Sequence, residues 1–354
     1  MPGKDYMSEK KFFYKTIAYS LGLLLLIAAA IVIIDPFVHY HAPYFGLAAT
    51  ATDERMQQIG VAENTDYDSA IIGSSMSENF EASWFDTEPF GEDCVKLSIM
   101  GGYFDDFAPV LDRVLAKDEV KSVVFCLDNY FFTMYDDTHV TEIPEYLNND
   151  DISDDTYYVL NKSVALYYLP MFIWENFSEG FSADSAYVWA NDYPFGKKQV
   201  LSEYVPLRPT YKQEEKSFDS YYRQAYIFLD AIEPYLESRP DVTFYFYVPP
   251  YSIVYWDECV LAGRLTAEIC ALSEVYGTLL YHDNVRLFYF QDNWDIITDL
   301  DKYKDYSHYN QDVSRYIFEC MRDGENEMKA DTYFDRLLKF SEDIEGYYFD
   351  PIFH

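Results

Sequence analysis

The sequence has little positive charge. Its 354 residues contain 26 Lys and Arg against 61 Asp and Glu, which gives a formal net charge of −35. Beyond the N-terminus, no cluster of Lys or Arg offsets this excess. Because the phosphate backbone of a nucleic acid would be repelled along most of such a surface, the composition argues against nucleic acid as a partner.

Paired cysteines are missing as well. The five cysteines, Cys94, Cys126, Cys259, Cys270 and Cys320, are scattered and form no CxxC pair. This spacing indicates neither a zinc site nor a redox motif, so no metal and no cofactor is predicted. Their odd number leaves at least one thiol unpaired within the chain. Cys126 falls in an apolar run, where a small buried hydrophobic residue is expected.

One segment lacks charge altogether. Residues 17–34 are apolar or uncharged and end at Asp35-Pro36, and about 18–20 such residues suffice for a helix to cross a bilayer. The first fifteen residues carry four lysines against two acidic residues, which predicts that they stay in the cytoplasm. We therefore predict a single-pass signal anchor over residues 16–36 in the cell membrane. The remainder, with a formal charge of −37, would lie outside it.

The alternative is a cleaved signal peptide. The small residues Ala48-Ala-Thr-Ala51 could form a cleavage site, but they lie fourteen residues beyond the apolar run. That distance is too long for usual cleavage, which favours an uncleaved anchor. The predicted organisation is a cytoplasmic tail (1–15), the anchor (16–36), a stalk (37–52), a main domain (53–325) with an insertion at about 133–220, and a C-terminal helix and tail (326–354).

Short apolar runs alternate with helical periods in the main domain. The predicted strands lie at about 70–72, 95–99, 122–127, 242–248 and 285–290. Strands that alternate with helices are typical of a parallel sheet covered by helices. We expect an α/β, flavodoxin-like three-layer sandwich with a central, mostly parallel five-stranded sheet. The aromatic and acidic stretch 133–220 has no such period, and its length predicts an inserted lid or cap.

A serine follows the first predicted strand in Gly73-Ser-Ser75. Ligands of open α/β sheets bind at the carboxyl ends of the strands, where this turn would lie. A serine hydroxyl needs a base to become a nucleophile, and Asp305-x-x-His308 offers one. In a polar turn, this spacing lets the Asp305 carboxylate reach Nδ1 of His308 and leaves Nε2 free to take the proton of Ser75. We predict a catalytic triad of Ser75, His308 and Asp305.

Acyl transfer also needs donors for the developing oxyanion, each contributing about 3 kcal/mol. The candidates are the backbone N–H of Ser75, the N–H of Gly101 and the side-chain amide of Asn129, because each follows a predicted strand at the same edge. A Gly-Ser-Ser turn or an Asp-x-x-His cap alone is commonplace. Their occurrence together, each at a strand end, favours the triad over coincidence.

Four short motifs resemble the sequence blocks of the SGNH (GDSL-type) hydrolase superfamily. They are Ile72-Gly-Ser-Ser-Met76, Leu97-Ser-Ile-Met-Gly101, Leu127-Asp-Asn129 and Asp305-Tyr-Ser-His308. The resemblance covers about residues 66–132 and 242–322. It implies Ser75 as the nucleophile and Gly101 as an oxyanion donor. The third block departs from the usual Gly-x-Asn-Asp, which makes Asp128 the alternative to Asn129 as the important residue of that block.

An anchor followed by such a domain is similar to the cell-envelope branch of that superfamily. This branch includes the lipoteichoic acid D-alanylation protein and accessory proteins of polysaccharide O-acetylation. The resemblance implies a serine O-acyltransferase or esterase that acts on O-acyl groups of a cell-wall or capsular polysaccharide. It also implies a membrane-bound O-acyltransferase as a partner.

Two other functions stay open. A non-catalytic domain could bind polysaccharide or act as a scaffold for an acyltransferase, and a secreted lipase-like esterase is a third alternative, although nothing marks a long acyl pocket. The charge of −37 disfavours strongly anionic polymers unless Arg208, Lys197 and Lys198 make the site locally basic.

Overall fold

The computed structural model describes residues 3–48, 53–133, 143–149, 151–178, 182, 184 and 186–354. The chain forms two compact units. The first comprises Met1–Thr65 and Ile143–Ala186, and the second comprises Asp66–Glu142 and Tyr187–His354. The predicted insertion at 133–220 is thus shared between the two units, and residues 134–142 of it lie outside the described part.

The elements are numbered in chain order. The helices are α1 (Gly3–Ile34), α2 (Glu54–Asn64), α3 (Ser75–Glu78), α4 (Phe104–Leu115), α5 (Tyr130–Thr133), α6 (Thr156–Val159), α7 (Leu169–Asn176), α8 (Lys197–Tyr204), α9 (Asp219–Ser238), α10 (Ile253–Leu261), α11 (Leu265–Leu279), α12 (Trp294–Ile297), α13 (Gln311–Asp323) and α14 (Tyr333–Glu345). The strands are β1 (Ser69–Gly73), β2 (Cys94–Ser98), β3 (Ser122–Cys126), β4 (Thr243–Val248), β5 (Val285–Tyr289) and β6 (Glu327–Met328).

The first unit contains the long apolar helix that the sequence predicts. The part of α1 from Glu9 to Ile34 is long and apolar enough to cross a membrane. Its side chains are mostly exposed, whereas a core helix of a soluble protein would bury one face. The uncharged run at residues 17–34 lies entirely within this one continuous helix.

The residues after α1 pack into the core of the first unit. Asp35 is buried, and its carboxylate accepts hydrogen bonds from the backbone N–H of Tyr40 at 2.6 Å and from the Tyr158 hydroxyl at 2.8 Å. Phe37 is also buried and stacks on Tyr158, with 5.3 Å between the ring centroids. The predicted stalk is described over residues 37–48, and its first residue, Phe37, is packed in the core of this unit.

The second unit is built on one sheet with the strand order β2-β1-β3-β4-β5-β6. The first five strands are parallel to their neighbours, and β6 pairs antiparallel with β5. The predicted α/β fold with a central, mostly parallel sheet is confirmed. The short β6 adds a sixth strand to the five predicted and brings the segment after residue 326 into the sheet.

Helices cover both faces of this sheet. The connection from β1 to β2 runs in the opposite direction to those from β3 to β4 and from β4 to β5. Because such crossovers are right-handed, their helices lie on opposite faces. On one face α9 packs against α4, α5 and α11. On the other, Phe318 of α13 packs against Phe85, with 4.9 Å between the ring centroids. The result is the predicted three-layer arrangement.

The strand order determines where a ligand can bind. The chain leaves β1 toward β2 on one side, whereas β3 lies on the other side of β1. This change of direction opens a crevice at the carboxyl ends of β1 and β3. The turns that follow these strands contain Ser75 and Asp128, so both residues lie at the crevice.

We expect Phe318→Ala to lower the free energy of unfolding by about 3–5 kcal/mol, because a buried aromatic ring is replaced by a cavity. Phe318 is buried and packs against the rings of Trp84, Phe85 and Phe90. Tyr281→Ala, at a side chain that is 88% exposed, should change the same quantity by at most about 0.5 kcal/mol. Denaturant unfolding followed by circular dichroism measures both. Equal losses would contradict the described packing.

Candidate active site

The turn after β1 holds Ser75 in a defined position. Ser74 is the N-cap of α3, and its hydroxyl accepts a hydrogen bond from the backbone N–H of Met76 at 3.2 Å. The same hydroxyl donates to the Asp128 carboxylate. Ser77 donates to the backbone carbonyl of Ser74 at 2.7 Å. Ser75 is therefore the first residue of α3, and the turn before it is held by hydrogen bonds to Asp128, Met76 and Ser77.

The structure brings the three predicted triad residues together. Ser75 Oγ lies 2.8 Å from Nε2 of His308. Nδ1 of His308 lies 2.8 Å from Oδ2 and 3.0 Å from Oδ1 of Asp305. A serine, an imidazole and a carboxylate thus form one chain of hydrogen bonds, and the imidazole uses a different nitrogen for each neighbour. This is the arrangement in which His308 can take a proton from Ser75 while Asp305 orients the ring.

The Asp305 carboxylate has further donors. It accepts from the backbone N–H of Ser307 at 2.9 Å and from that of His308 at 2.8 Å. Burial opposes its ionisation, but the hydrogen bonds and the charge of His308 outweigh burial and hold the pKa of Asp305 below its ordinary value. The carboxylate is therefore ionised near neutral pH and can stabilise an imidazolium at His308.

A cavity of about 270 Å³ lies directly beside Ser75 and His308. Its wall is unusually rich in tyrosine. The tyrosines that line it are Tyr103, Tyr130, Tyr251, Tyr255 and Tyr306, and the other lining residues include Asp128 and Gly101. Among the described residues that line the cavity there is no Lys or Arg. The cavity therefore offers aromatic surface instead of a cationic site.

Gly101 occupies the place that the sequence predicts, after β2 and in the wall of this cavity. Its φ of +62° lies in the left-handed region, which side chains other than glycine rarely adopt. A Cβ built on it would meet no atom within 4 Å, so the space beside its backbone is open. A ligand can therefore approach the main chain at Gly101 closely.

Asp128 connects the two turns that flank the crevice. It is fully buried and accepts from the hydroxyls of Ser74 and Tyr251, the latter at 2.5 Å. Burial raises the pKa of Asp128, and the hydrogen bonds from Ser74, Tyr251 and Cys126 act in the opposite direction. Asp128 thus positions the turn before Ser75 and one tyrosine of the cavity wall. This agrees with the alternative that the third block suggested.

Asn129 has a different partner from the one its predicted role requires. Its side-chain amide donates to Oε1 of Glu268 at 3.0 Å, and the hydroxyl of Tyr255 donates to the same oxygen at 2.5 Å. Asn129 is fully buried and is not among the residues that line the cavity. Because a buried carboxylate is costly without donors, the hydrogen bond from Asn129 stabilises Glu268. The structure brings Gly101, but not the Asn129 side chain, into the cavity.

Trp189 contacts two of the triad residues, and sequence reasoning did not find it. Its indole N–H donates to the backbone carbonyl of Ser75 at 3.0 Å. Its ring meets that of His308 edge to face, with 5.4 Å between the centroids. The ammonium group of Lys304 makes a cation–π contact with the Trp189 ring, 4.2 Å from its centroid. Trp189 belongs to the aperiodic insertion, where no pattern distinguishes one aromatic residue from another.

The basic residues that could have favoured an anionic substrate lie elsewhere. Arg208 forms a two-point ion pair with Asp257, with Nε–Oδ2 and Nη2–Oδ1 distances of 2.5 and 2.9 Å. Lys197 lines a separate hollow together with Asp299 and Asp301. Neither they nor the exposed Lys198 line the cavity beside Ser75.

Comparison with known proteins gives no family. Neither a protein-family profile nor a curated protein matches this sequence. One of the solved structures that it resembles is of a Streptococcus pneumonia protein provisionally described as a platelet activating factor. The identity is 10%, the match covers 76% of this chain and 91% of that chain, and the TM-score is 0.37.

The lowered pKa of Asp305 predicts a contribution to stability that depends on pH. A carboxylate with a depressed pKa stabilises the fold above its ordinary pKa of about 3.9, and this contribution is lost as the pH falls below it. The difference in unfolding free energy between the wild type and Asp305→Asn should therefore narrow as the pH falls from about 5 to about 3. Denaturant unfolding at several pH values measures it. The exposed Asp331→Asn is the control, and a gap for Asp305→Asn that does not narrow would contradict the prediction.

Proposed function

We propose that the chain is a membrane-anchored serine esterase or O-acyltransferase of the SGNH type that acts outside the cytoplasm. The observation that carries this proposal is the hydrogen-bonded chain from Ser75 through His308 to Asp305 at the edge of a tyrosine-lined cavity. A turn that merely caps a helix would not need an imidazole within 2.8 Å of the serine hydroxyl.

The first half of the reaction forms an acyl-enzyme. Ser75 Oγ attacks the carbonyl carbon of an O-acyl group while Nε2 of His308 takes the hydroxyl proton. The ester C–O bond then breaks, and His308 returns the proton to the departing alcohol. Throughout these steps, Asp305 accepts the hydrogen bond from Nδ1 and stabilises the imidazolium. The acyl group remains on Ser75 as an ester.

The second half removes this acyl group. Water or the hydroxyl of an acceptor enters the cavity, loses its proton to His308 and attacks the acyl carbonyl. The ester bond to Ser75 then breaks, and His308 returns the proton to Ser75 Oγ. Water as the acceptor makes the protein an esterase, and a sugar hydroxyl makes it a transferase. In both halves the oxyanion would be bound by the backbone N–H groups of Ser75 and Gly101.

The character of the cavity suggests the substrate class. The tyrosine rings suit a neutral sugar that carries an O-acyl group, since aromatic faces pack against the apolar faces of sugar rings. The formal charge of −35 and the absence of Lys and Arg from the described cavity lining disfavour a strongly anionic polymer. We therefore propose a cell-wall or capsular polysaccharide of low charge as the substrate.

The location and the partner are parts of the same proposal. Through α1 the chain would cross the cell membrane once, with residues 1–15 in the cytoplasm and the serine outside it. An acyl-transfer reaction outside the cytoplasm needs a donor that is delivered across the membrane, and a membrane-bound O-acyltransferase would supply it.

Replacement of Ser75 tests the nucleophile. We expect Ser75→Ala in the full-length protein to abolish labelling by a fluorophosphonate probe and to lower kcat for p-nitrophenyl acetate about 10⁴-fold or more, as loss of a triad residue does. Ser74→Ala should still be labelled, but more slowly, because Ser74 positions the turn. Ser202→Ala, an exposed serine on α8, is the control and should match the wild type. Labelling of Ser75→Ala at the wild-type rate would overturn the assignment.

Trp189 can be tested as a positioning residue. Trp189→Phe keeps a ring beside His308 but removes the N–H that binds the Ser75 carbonyl. One hydrogen bond contributes about 1 kcal/mol, so we expect kcat for p-nitrophenyl acetate to fall about fivefold with KM unchanged. Trp294→Phe, a tryptophan outside the cavity, is the matched control and should not alter kcat. A fall in kcat that both variants share would indicate a general structural effect.

A further inference from the structure

The first unit exposes an apolar surface that no part of the proposed reaction uses. Residues 163–174 contain no charged side chain, although a quarter of the whole chain is charged. Several large apolar side chains of this region and its borders point outward. We call them the 160–177 surface: Leu160, Leu166, Tyr167, Ile173, Trp174 and Phe177. Leu166 is 78% exposed, Trp174 66% and Phe177 77%.

Most of this surface belongs to one helical stretch. A π-helical turn at Val164–Tyr168 runs directly into α7 at Leu169–Asn176. Its opposite face is buried through Val164 and Phe172. The stretch thus has apolar residues on both its inner and its outer face. A helix that is apolar on all sides is typical of contact with something other than water on its exposed face.

The inner face of this stretch packs against the end of α1. Val164 belongs to one core cluster with Ile31 and Phe37, and Ile27 and Leu169 pack at its margin. At 1.5 Å per residue, Ile31 and Ile27 lie about 5 and 10 Å before the last residue of α1. The helical stretch therefore lies beside the final two turns of the helix that is long enough to cross a membrane.

We infer that the 160–177 surface rests in the outer interface of the lipid bilayer and forms a second membrane contact beside α1. This inference relies on the proposed crossing of the membrane by α1. If α1 crosses, its last two turns lie at the boundary between acyl chains and head groups, and the stretch packed against them lies at the same depth. Helices that bind in this region sink about 5–10 Å into the boundary, which matches the offset of Ile31 and Ile27.

The composition of the surface agrees with a lipid occupant. Tyr and Trp are enriched at membrane interfaces because their rings have an apolar body and a polar edge, and Tyr167 and Trp174 provide both. A second exposed aromatic pair is Tyr44 and Phe45. This pair ends three residues before Ala48, whose backbone N–H donates to the side chain of Asn176 in α7 at 2.6 Å. Because residues 163–174 carry no charge, anionic head groups would not repel them as they would repel most of this acidic chain.

The depth of Trp174 tests the inference. The full-length protein is placed in phosphatidylcholine vesicles whose lipids carry bromine either near the head group or near the end of the acyl chain. The emission of Trp174 is the difference between the wild type and Trp174→Phe. We expect this emission to be lost with brominated lipids, and more strongly with bromine near the head group. Acrylamide in the aqueous phase should quench it little.

Two results would overturn the inference. If acrylamide quenches Trp174 and brominated lipids do not, the surface faces water. If neither quenches it, a protein such as a second copy of the chain covers the surface. A Leu24→Trp substitution in Trp174→Phe reports on α1 separately, since Leu24 lies within the apolar run. Quenching at position 24 by bromine near the chain end, without quenching of Trp174, would leave the anchor intact and refute only the second contact.

Discussion

The crevice of the second unit is organised around one buried interaction, the hydrogen bond from the Ser74 hydroxyl to the Asp128 carboxylate. It joins the turn after β1 to the turn after β3, the two strand ends that border the crevice. Ser75 begins its helix from the first turn, and Tyr251 is held against the cavity by the second. A carboxylate without solvent needs such donors, so the same constraint that stabilises Asp128 also positions Ser75. Asp128 thus positions Ser75 through the neighbouring Ser74.

Much of the fold and of the triad could be predicted from the sequence because the signals are local. Apolar runs such as residues 122–127 indicate buried parallel strands, and parallel strands place their carboxyl ends at one edge. Asp305 and His308 are three residues apart, so their contact depends on a single turn. Ser75 lies in the turn that ends β1, whereas His308 lies just before α13, in the connection that leaves β5 and contains α12. Both segments follow the carboxyl end of a parallel strand, which favours their meeting at the same edge of the sheet.

The remaining features depend on contacts that local patterns do not encode. Asn129 lies at the predicted strand end, but its side chain turns to Glu268, a buried carboxylate on α11 that is 139 residues away. Trp189 reaches the backbone of Ser75 from an insertion without hydrophobic period. The short β6 has only two residues, too few for alternation to be recognised. For Asn129 and Trp189 the deciding partner is distant in sequence, and side-chain direction rather than element type determines the contact.

The separation of 233 residues between Ser75 and His308 has a consequence for biosynthesis. On the ribosome, Ser75 is made 233 residues before His308. The strands β4 and β5 lie between them in the chain and are made before the imidazole. Until then Ser75 is an ordinary alcohol. An unfolded chain that crosses a membrane would therefore pass the translocation channel before the hydrogen bond between Ser75 and His308 forms. With the proposed topology, the base that the proposed reaction requires would reach Ser75 only after these strands have folded outside the cytoplasm.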